Sequence, residues 1–339
     1  MAVTAVLPNQ VLANGASDGD LLTVQADGSV AFEPPAGGGG IGGSTGARDN
    51  AVLRADGTDG DTLQDSNWDI PDIYTASPNA TVNHLSMQAT GNTTNVSVSI
   101  VPKGTGSFSL AVPDGTTTGG NVRGSQAVDL QLLRHVNTAV ASGAYAVAAG
   151  GENTASGYGS IAYGIRNLVT SQYGLGLGLN NTVSGYAAVA IGRGLVADRN
   201  GVTAFGADAF GLTRLQHIAC CMRGTTTDGT TQVELTIPSQ SSRLSLVAGT
   251  VMTINIKIVG SRDDGSAVAI YERQYAAKRV GSASSEIQAP VTIGTDVAAG
   301  TSMTLDVDDT NDAIRLRVVG VTSQTWKWRA FVLGGEFAY

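Results

Sequence analysis

The 339 residues carry 20 basic and 28 acidic side chains, a formal charge of −8, with 42% hydrophobic, 14% charged and 5% aromatic residues beside 45 glycines. This balance excludes a disordered chain, which has more charge and less apolar surface, and the lack of any Lys/Arg cluster argues against nucleic-acid binding. Many glycines and few rings point to an elongated molecule in which small residues pack on small residues.

Residues 1–40 read as an anchoring segment, with short strands at Leu21–Gln25 and Ser29–Phe32 around Ala26-Asp27-Gly28, then Pro34-Pro35 and a glycine hinge at Gly37–Gly40. Neither a leader nor a membrane-spanning stretch is expected, because the first residues lack a basic n-region and no segment approaches the roughly 20 apolar residues of a span. Residues 41–124 read as a β-rich shaft section. Its short strands fall around Ala51-Val52-Leu53-Arg54-Ala55-Asp56-Gly57 and along the alternation Val96, Val98, Ile100 before Pro102-Lys103-Gly104. Over 125–141 a short helix is expected: Ser125 caps a segment with Val128, Leu132, Leu133 and Val136 at helical spacing and no Gly or Pro until Gly143. Its apolar stripe would pack on the same helix in two other chains or on its own domain.

A repeat follows over 142–210. Gly150, Gly164, Gly178, Gly192 and Gly206 recur with a constant step of 14 residues. Before each glycine stand a large, a tiny and a large residue, as in Ile161-Ala162-Tyr163, and three residues after it stand Asn153, Asn167 and Asn181, then Leu195. Fourteen residues are too few for a helix-containing repeat, so each unit should be two short strands and two turns of a β-solenoid. The glycines suit positive φ or close backbone approach, and the asparagines can form a hydrogen-bonded turn ladder from coil to coil. The Ala/Gly positions suggest that missing burial is supplied by two further copies about a shared axis.

The runs Ser156-Gly157-Tyr158-Gly159-Ser160-Ile161-Ala162-Tyr163-Gly164 and Ser184-Gly185-Tyr186-Ala187-Ala188-Val189-Ala190-Ile191-Gly192 resemble the head repeats of trimeric autotransporter adhesins of the YadA type. That resemblance, over 143–210, implies a left-handed parallel β-roll in a homotrimer; Gly176, Leu177 and Leu195 depart from its pattern. The linker from Val101-Pro102-Lys103-Gly104-Thr105-Gly106 to Gly124-Ser125-Gln126-Ala127-Val128-Asp129-Leu130-Gln131, and residues 51–57, are similar to segments of phage fibre proteins. With neither a signal peptide nor a membrane barrel expected, the phage context is preferred to the bacterial one.

From 218 to 339 period-2 segments mark strands at Thr231–Ile237, Val251–Val259, Ala267–Val280, Glu286–Ile293, Thr304–Val307, Ala313–Val319 and Trp326–Val332, with turns at Asp263-Asp264-Gly265 and Asp308–Asp312. Seven strands suggest a β-sandwich. The segment Arg223–Phe337 resembles a C-terminal module of phage tail and fibre proteins, through Thr253–Val259, Asp309–Ala313 and Trp326–Ala330.

Chemistry is sparse. Cys220 and Cys221 read as a buried apolar pair at a strand start. Asp306, Asp308, Asp309 and Asp312 could chelate calcium, although a solvated turn is preferred. His84, His135 and His217 have no nucleophile-elbow setting. Trp326, Trp328 and Tyr339 could stack on sugars, with core packing preferred for the two tryptophans. No catalytic, cofactor-binding or metal-binding residue is assigned, and enzymatic activity is not expected.

The expectation is therefore an all-β homotrimeric fibre: a parallel β-roll shaft, one short helix before it and a C-terminal β-sandwich. It would be made in a host cytoplasm and carried on the virion, held near its N-terminus by another virion protein, and contact a host-surface glycan or protein through its C-terminal domain. A capsid head fibre without a receptor role is the alternative, and a polysaccharide-degrading tailspike a further one.

Overall fold

The computed structural model describes the backbone of strands at 21–24, 30–33, 51–56, 62–69 and 88–89, then residues 95, 97–207, 215–238 and 242–338. The chain divides into two units, 1–100 and 101–339. In the first, β1 (Leu21–Val24) and β2 (Val30–Glu33) form an antiparallel hairpin, and β3 (Ala51–Asp56), β4 (Thr62–Asp69) and β5 (Gln88–Ala89) form a three-stranded antiparallel sheet. Val98 and Ile100, expected in a strand, lie in irregular backbone and are exposed. Val96 lies outside the described residues.

The second unit begins with β6 (Phe108–Ser109) and β7 (Val128–Leu133), paired in parallel. β7 occupies the place of the expected helix, and no helix occurs among the described residues. The apolar spacing of Val128 and Leu132 fits both periods, but the alternation of Asp129 and Gln131 decides for a strand. Both polar residues are fully buried, whereas Leu132 and Leu133 are 69% and 62% exposed. Inverting the usual polarity of a strand serves here to close the end of a tube.

Five long rungs follow, β8 (Val147–Gly151), β10 (Ile161–Ile165), β12 (Leu175–Leu179), β14 (Val189–Arg193) and β16 (Thr203–Ala207). Between them run the short rungs β9 (Thr154–Ala155), β11 (Leu168–Val169), β13 (Thr182–Val183) and β15 (Val196–Ala197). Each long rung pairs in parallel with the next at an offset of one repeat, so that Gly150, Gly164, Gly178, Gly192 and Gly206 stand in file. The short rungs form a second parallel sheet, and the two sheets make a β-solenoid.

The solenoid's interior is narrow. Ala148, Ala162, Ala190 and Ala204 point inward from the long rungs and meet Ala155, Val169, Val183 and Ala197 from the short ones, all at most 1% exposed. Gly176 replaces alanine in this column, and a Cβ there would sit 2.8 Å from the Val169 side chain. The glycine thus compensates for the two valines on the facing rungs. Tiny residues fill the inside and the large ones face out, so the alanines expected to be covered by further copies are already buried within the single chain.

The glycine file is a close-approach column. Gly150, Gly164, Gly178 and Gly192 have φ between +105° and +141°, and a Cβ on Gly164 would lie 2.0 Å from the carbonyl oxygen of Gly178. A second turn column holds non-glycine residues at positive φ, including Tyr145, Tyr173 and Ala187.

At the last coil β17 (Gln216–Thr226) pairs antiparallel with β16 and carries the same sheet onward through β25 (Trp326–Ala338), β20 (Thr250–Arg262), β21 (Val268–Val280) and β22 (Ala283–Thr292). A smaller sheet holds β18 (Val233–Glu234), β19 (Leu244–Ser245), β23 (Ser302–Asp308) and β24 (Ala313–Val319). Residues of both sheets meet in one core, including Ile254, Ile258, Leu235, Leu316, Trp326 and Trp328. The period-2 segments of the sequence correspond closely to β20–β25, and the turn at Asp263-Asp264-Gly265 joins β20 to β21 with Gly265 at φ +71°.

Gly164→Ala should lower thermal stability by at least the roughly 1–3 kcal/mol of a strained φ, because backbone must also move to admit the methyl group. Gly176→Ala should cost clearly less, since only a valine side chain must yield. Thermal unfolding of the two variants checks the order, and equal midpoints would contradict it.

Candidate functional surface

The inside of the solenoid is structural. Asn167 Nδ2 donates to the carbonyls of Tyr163 and Gly178 at 3.0 and 2.9 Å, while its Oδ1 accepts from the backbone N–H of Asn181 at 3.1 Å and from Asn181 Nδ2 at 2.9 Å. Asn153 and Asn181 repeat the pattern, and all three are buried. Leu195 can stand at the end of the ladder because its backbone N–H still donates to Asn181 Oδ1, at 3.0 Å.

Both ends of the tube are closed by buried polar groups. At the first coil Gln131 Oε1 accepts from the N–H of Asn153 at 2.7 Å. Asp129 beside it accepts from Arg123 Nε at 2.7 Å and Arg134 Nη2 at 3.2 Å. At the last coil Gln216 Oε1 accepts from the N–H of Val196 at 2.9 Å and Gln216 Nε2 donates to its carbonyl. Glu336 binds both terminal nitrogens of Arg199, one at 2.9 Å, and accepts from Gln216 at 3.0 Å. Arg199 Nε also donates to the Ser245 carbonyl, so this one guanidinium ties the shaft to both sheets of the C-terminal region. Sequence reading missed these residues; their signal is a lone polar side chain at an inward position of a strand, as in Val128-Asp129-Leu130-Gln131.

The outside offers the candidate interface. Ile161, Tyr163, Ile165, Leu179 and Ile191 are 37–62% exposed on the long rungs. The apolar face continues past the solenoid through Phe205, stacked on His217 at 5.3 Å, to Phe337, Leu333 and Phe331, the last three 40–53% exposed. A groove of about 620 Å³ opens on this face at the last coils, lined by Ala187, Thr203, Ala219, Cys221, Pro238 and Phe331. Along one corner Tyr145, Tyr158, Tyr173 and Tyr186 pack edge to face, with centroids 5.2–5.7 Å apart.

Other sequence candidates are differently placed. Asp306 is held by Arg315 and Arg317, Asp308 by Asn311, Asp309 accepts from the Ser284 N–H, and Asp312 is bound by Arg279 and the Ser284 hydroxyl, so the four carboxylates do not converge on a common point for a cation. No metal-holding cluster occurs among the described residues. Trp326 and Trp328 are buried and stacked at 5.8 Å, with Trp328 Nε1 donating to Thr226, which removes them from any sugar-binding surface; Tyr339 lies outside the described residues. The cysteines do not form a buried pair: successive strand residues face opposite ways, leaving Cys220 buried, its thiol pushed up to about 12 by burial, and Cys221 exposed. His135 and His217 are exposed, and His84 lies outside the described residues.

No protein-family model matches the chain, and neither does any curated protein. Solved structures similar to it are tailspike proteins of Acinetobacter phages. One, from Acinetobacter baumannii bacteriophage Fri1, is a capsular polysaccharide depolymerase: it is 11% identical over 66% of this chain and 44% of its own, with a TM-score of 0.23. The tailspike of Acinetobacter phage vB_ApiP_P1 is 13% identical over 57% of this chain and 51% of its own, at 0.20, and that of phage AM24 is 7% identical over 67% and 53%, at 0.19. The chain thus spans about half the length of these proteins. The expectation of no enzymatic activity is contradicted by this finding: the Fri1 tailspike, to which the chain is distantly similar, is a capsular polysaccharide depolymerase. Glycoside cleavage can rest on two carboxylates whose separation is set by the fold, a pairing that the sequence does not display.

Replacing Arg199 by Met should cost about 3–5 kcal/mol by leaving Glu336 buried without its cation, and adding Glu336→Leu should recover much of that loss. A double-mutant cycle by chemical denaturation measures both, and additive losses would contradict the coupling. In thiol titration with iodoacetamide at neutral pH, the native protein should consume no more than one equivalent, with Cys220 reacting only after denaturation.

Proposed function

We propose that the chain is a bacteriophage virion protein of fibre or tailspike type. Three parallel copies associate through the outward face of the long-rung sheet, residues near the N-terminus attach to the particle, and the C-terminal β region meets the bacterial surface. The observation that carries this reading is the uncovered apolar face itself. Monomeric soluble proteins rarely leave so extended an apolar surface in water. Here exposed apolar side chains recur from Ile161 to Phe337 along one sheet. The repeats over 143–210, similar to those of trimeric adhesins, and the phage-like flanking segments agree with it.

Parallel three-fold association suits this architecture because every coil presents the same face at the same height, so each rung of one copy meets the matching rung of the next.

Light scattering on the purified protein should give the mass of three chains. The combined substitutions Tyr163→Asp and Ile191→Asp should shift that mass toward a single chain without unfolding the solenoid, since both side chains point away from its interior. A native protein of one-chain mass in dilute solution would refute the assembly. Added in excess to host cells, the intact protein should compete with the parent phage and reduce adsorption; unaltered adsorption at saturating protein would refute the receptor role.

A further inference from the structure

The outward face of the C-terminal sheet changes character partway along its strands. Next to the shaft it carries Phe337 and Leu333. Beyond Cys221 and Phe331, which are cross-strand partners, it becomes cationic. Arg223 on β17 stands directly opposite Arg329 on β25, Lys257 on β20 stands opposite Phe331, and Lys327 precedes Arg329 by two residues on the same face. All four cations are exposed. Lys327 is paired with Asp263, and Glu272 lies across from Lys257. Among the described residues no carboxylate forms an ion pair with Arg223, Arg329 or Lys257.

Like charges placed directly opposite one another on neighbouring strands are destabilising. A chain with a formal charge of −8 that sets Arg223 against Arg329, with Lys257 on the next strand, therefore carries a local positive field that Asp263 and Glu272 offset only in part. We infer that this row binds an acidic polysaccharide, its carboxylates held by Arg223, Arg329 and Lys257 and a sugar face laid on the half-exposed ring of Phe331. Neighbouring strands lie roughly 4.8 Å apart, so Arg223 and Arg329 stand about one strand spacing from each other, while Lys257, opposite Phe331, lies diagonal to Arg329 at roughly 7–8 Å; the three cations form a compact cluster that can meet successive carboxylates of an extended polymer. Arginine suits such a ligand because its planar fork can hold a carboxylate through two parallel hydrogen bonds. Nucleic acid fits less well, since so short a row neutralises few phosphates while the rest of the chain repels them.

The inference rests on the reading of the C-terminal region as the end that meets the bacterial surface, and its test separates the two. Binding of the full-length protein to polygalacturonate, alginate and hyaluronate is measured at low and high salt, with dextran as the neutral control and polyglutamate as a polyanion without sugar. Salt-sensitive binding to at least one polyuronate is expected, tighter than to dextran or polyglutamate. In the triple variant Arg223→Gln, Arg329→Gln, Lys257→Gln it should weaken about tenfold or more, equivalent to at least one charge-assisted contact. The variant's mass by light scattering should stay that of the parent, and its thermal midpoint should hold or rise because an opposed charge pair is gone.

Absence of binding to all three polyuronates, unchanged binding by the variant, or equal binding to polyglutamate would overturn the inference while leaving assembly and receptor role untouched. A fall in the variant's mass would assign the row to contact between copies and overturn it as well. A one-chain parent that binds polyuronate through these residues would support this site and refute only the three-fold assembly.

Discussion

A coil of fourteen residues encloses a space about one small side chain wide, and most of the molecule follows from that limit. Alanine, valine and glycine are what fit between facing rungs, so each coil buries little apolar area of its own. Cohesion along the shaft comes instead from hydrogen bonds: backbone pairing from rung to rung, and the amides of Asn153, Asn167 and Asn181 handing donors and acceptors from one coil to the next. In so narrow an interior each of these groups is satisfied by its neighbour, since an unpaired buried amide costs about 1–3 kcal/mol. The ladder is therefore sensitive at every step and needs special chemistry at both ends. The buried Arg123–Asp129–Arg134 and Arg199–Glu336 groups supply it.

The same limit explains what the sequence disclosed and what it concealed. The fourteen-residue spacing is legible because close backbone approach at Gly164 or Gly178 tolerates no side chain. The strands from Thr250 onward are legible because they enclose an ordinary two-sheet core, where alternation of apolar and polar residues has its usual meaning. That meaning reverses at Val128–Leu133: leucines face water and Asp129 and Gln131 face inward, so a rule that places apolar residues inside found a helical stripe. The tryptophans were read correctly as core because Trp326 and Trp328 share a face. Arg199 and Glu336 stayed hidden because 137 residues separate them, and no local pattern announces a long-range ion pair. The cationic row was invisible for a related reason, since Arg223, Lys257 and Arg329 become neighbours only when β17, β25 and β20 align.

Function, on this view, resides on the outside of a molecule whose inside is fully engaged in holding its shape. The single continuous sheet presents an apolar stretch along the shaft and a positively charged stretch beyond it, two surfaces suited to different partners on one rigid support. Rigidity matters to both: side chains fixed on paired strands lose less freedom on meeting a partner than side chains on a loop would.

The position of β25 has a consequence for how the chain reaches this state. It lies between β17 and β20, hydrogen-bonded to each along nearly its whole length, yet it is synthesised after both. While it is still absent, a growing chain can already stack its coils upward from the Asp129 plug, but β17 and β20 must wait with bare edges. The shaft can thus mature during translation, whereas the far end closes in one late step, when the final strand slots into the gap and delivers Glu336 to Arg199. Chains cut short before that strand would carry two open sheet edges, the feature most prone to pairing with the wrong neighbour.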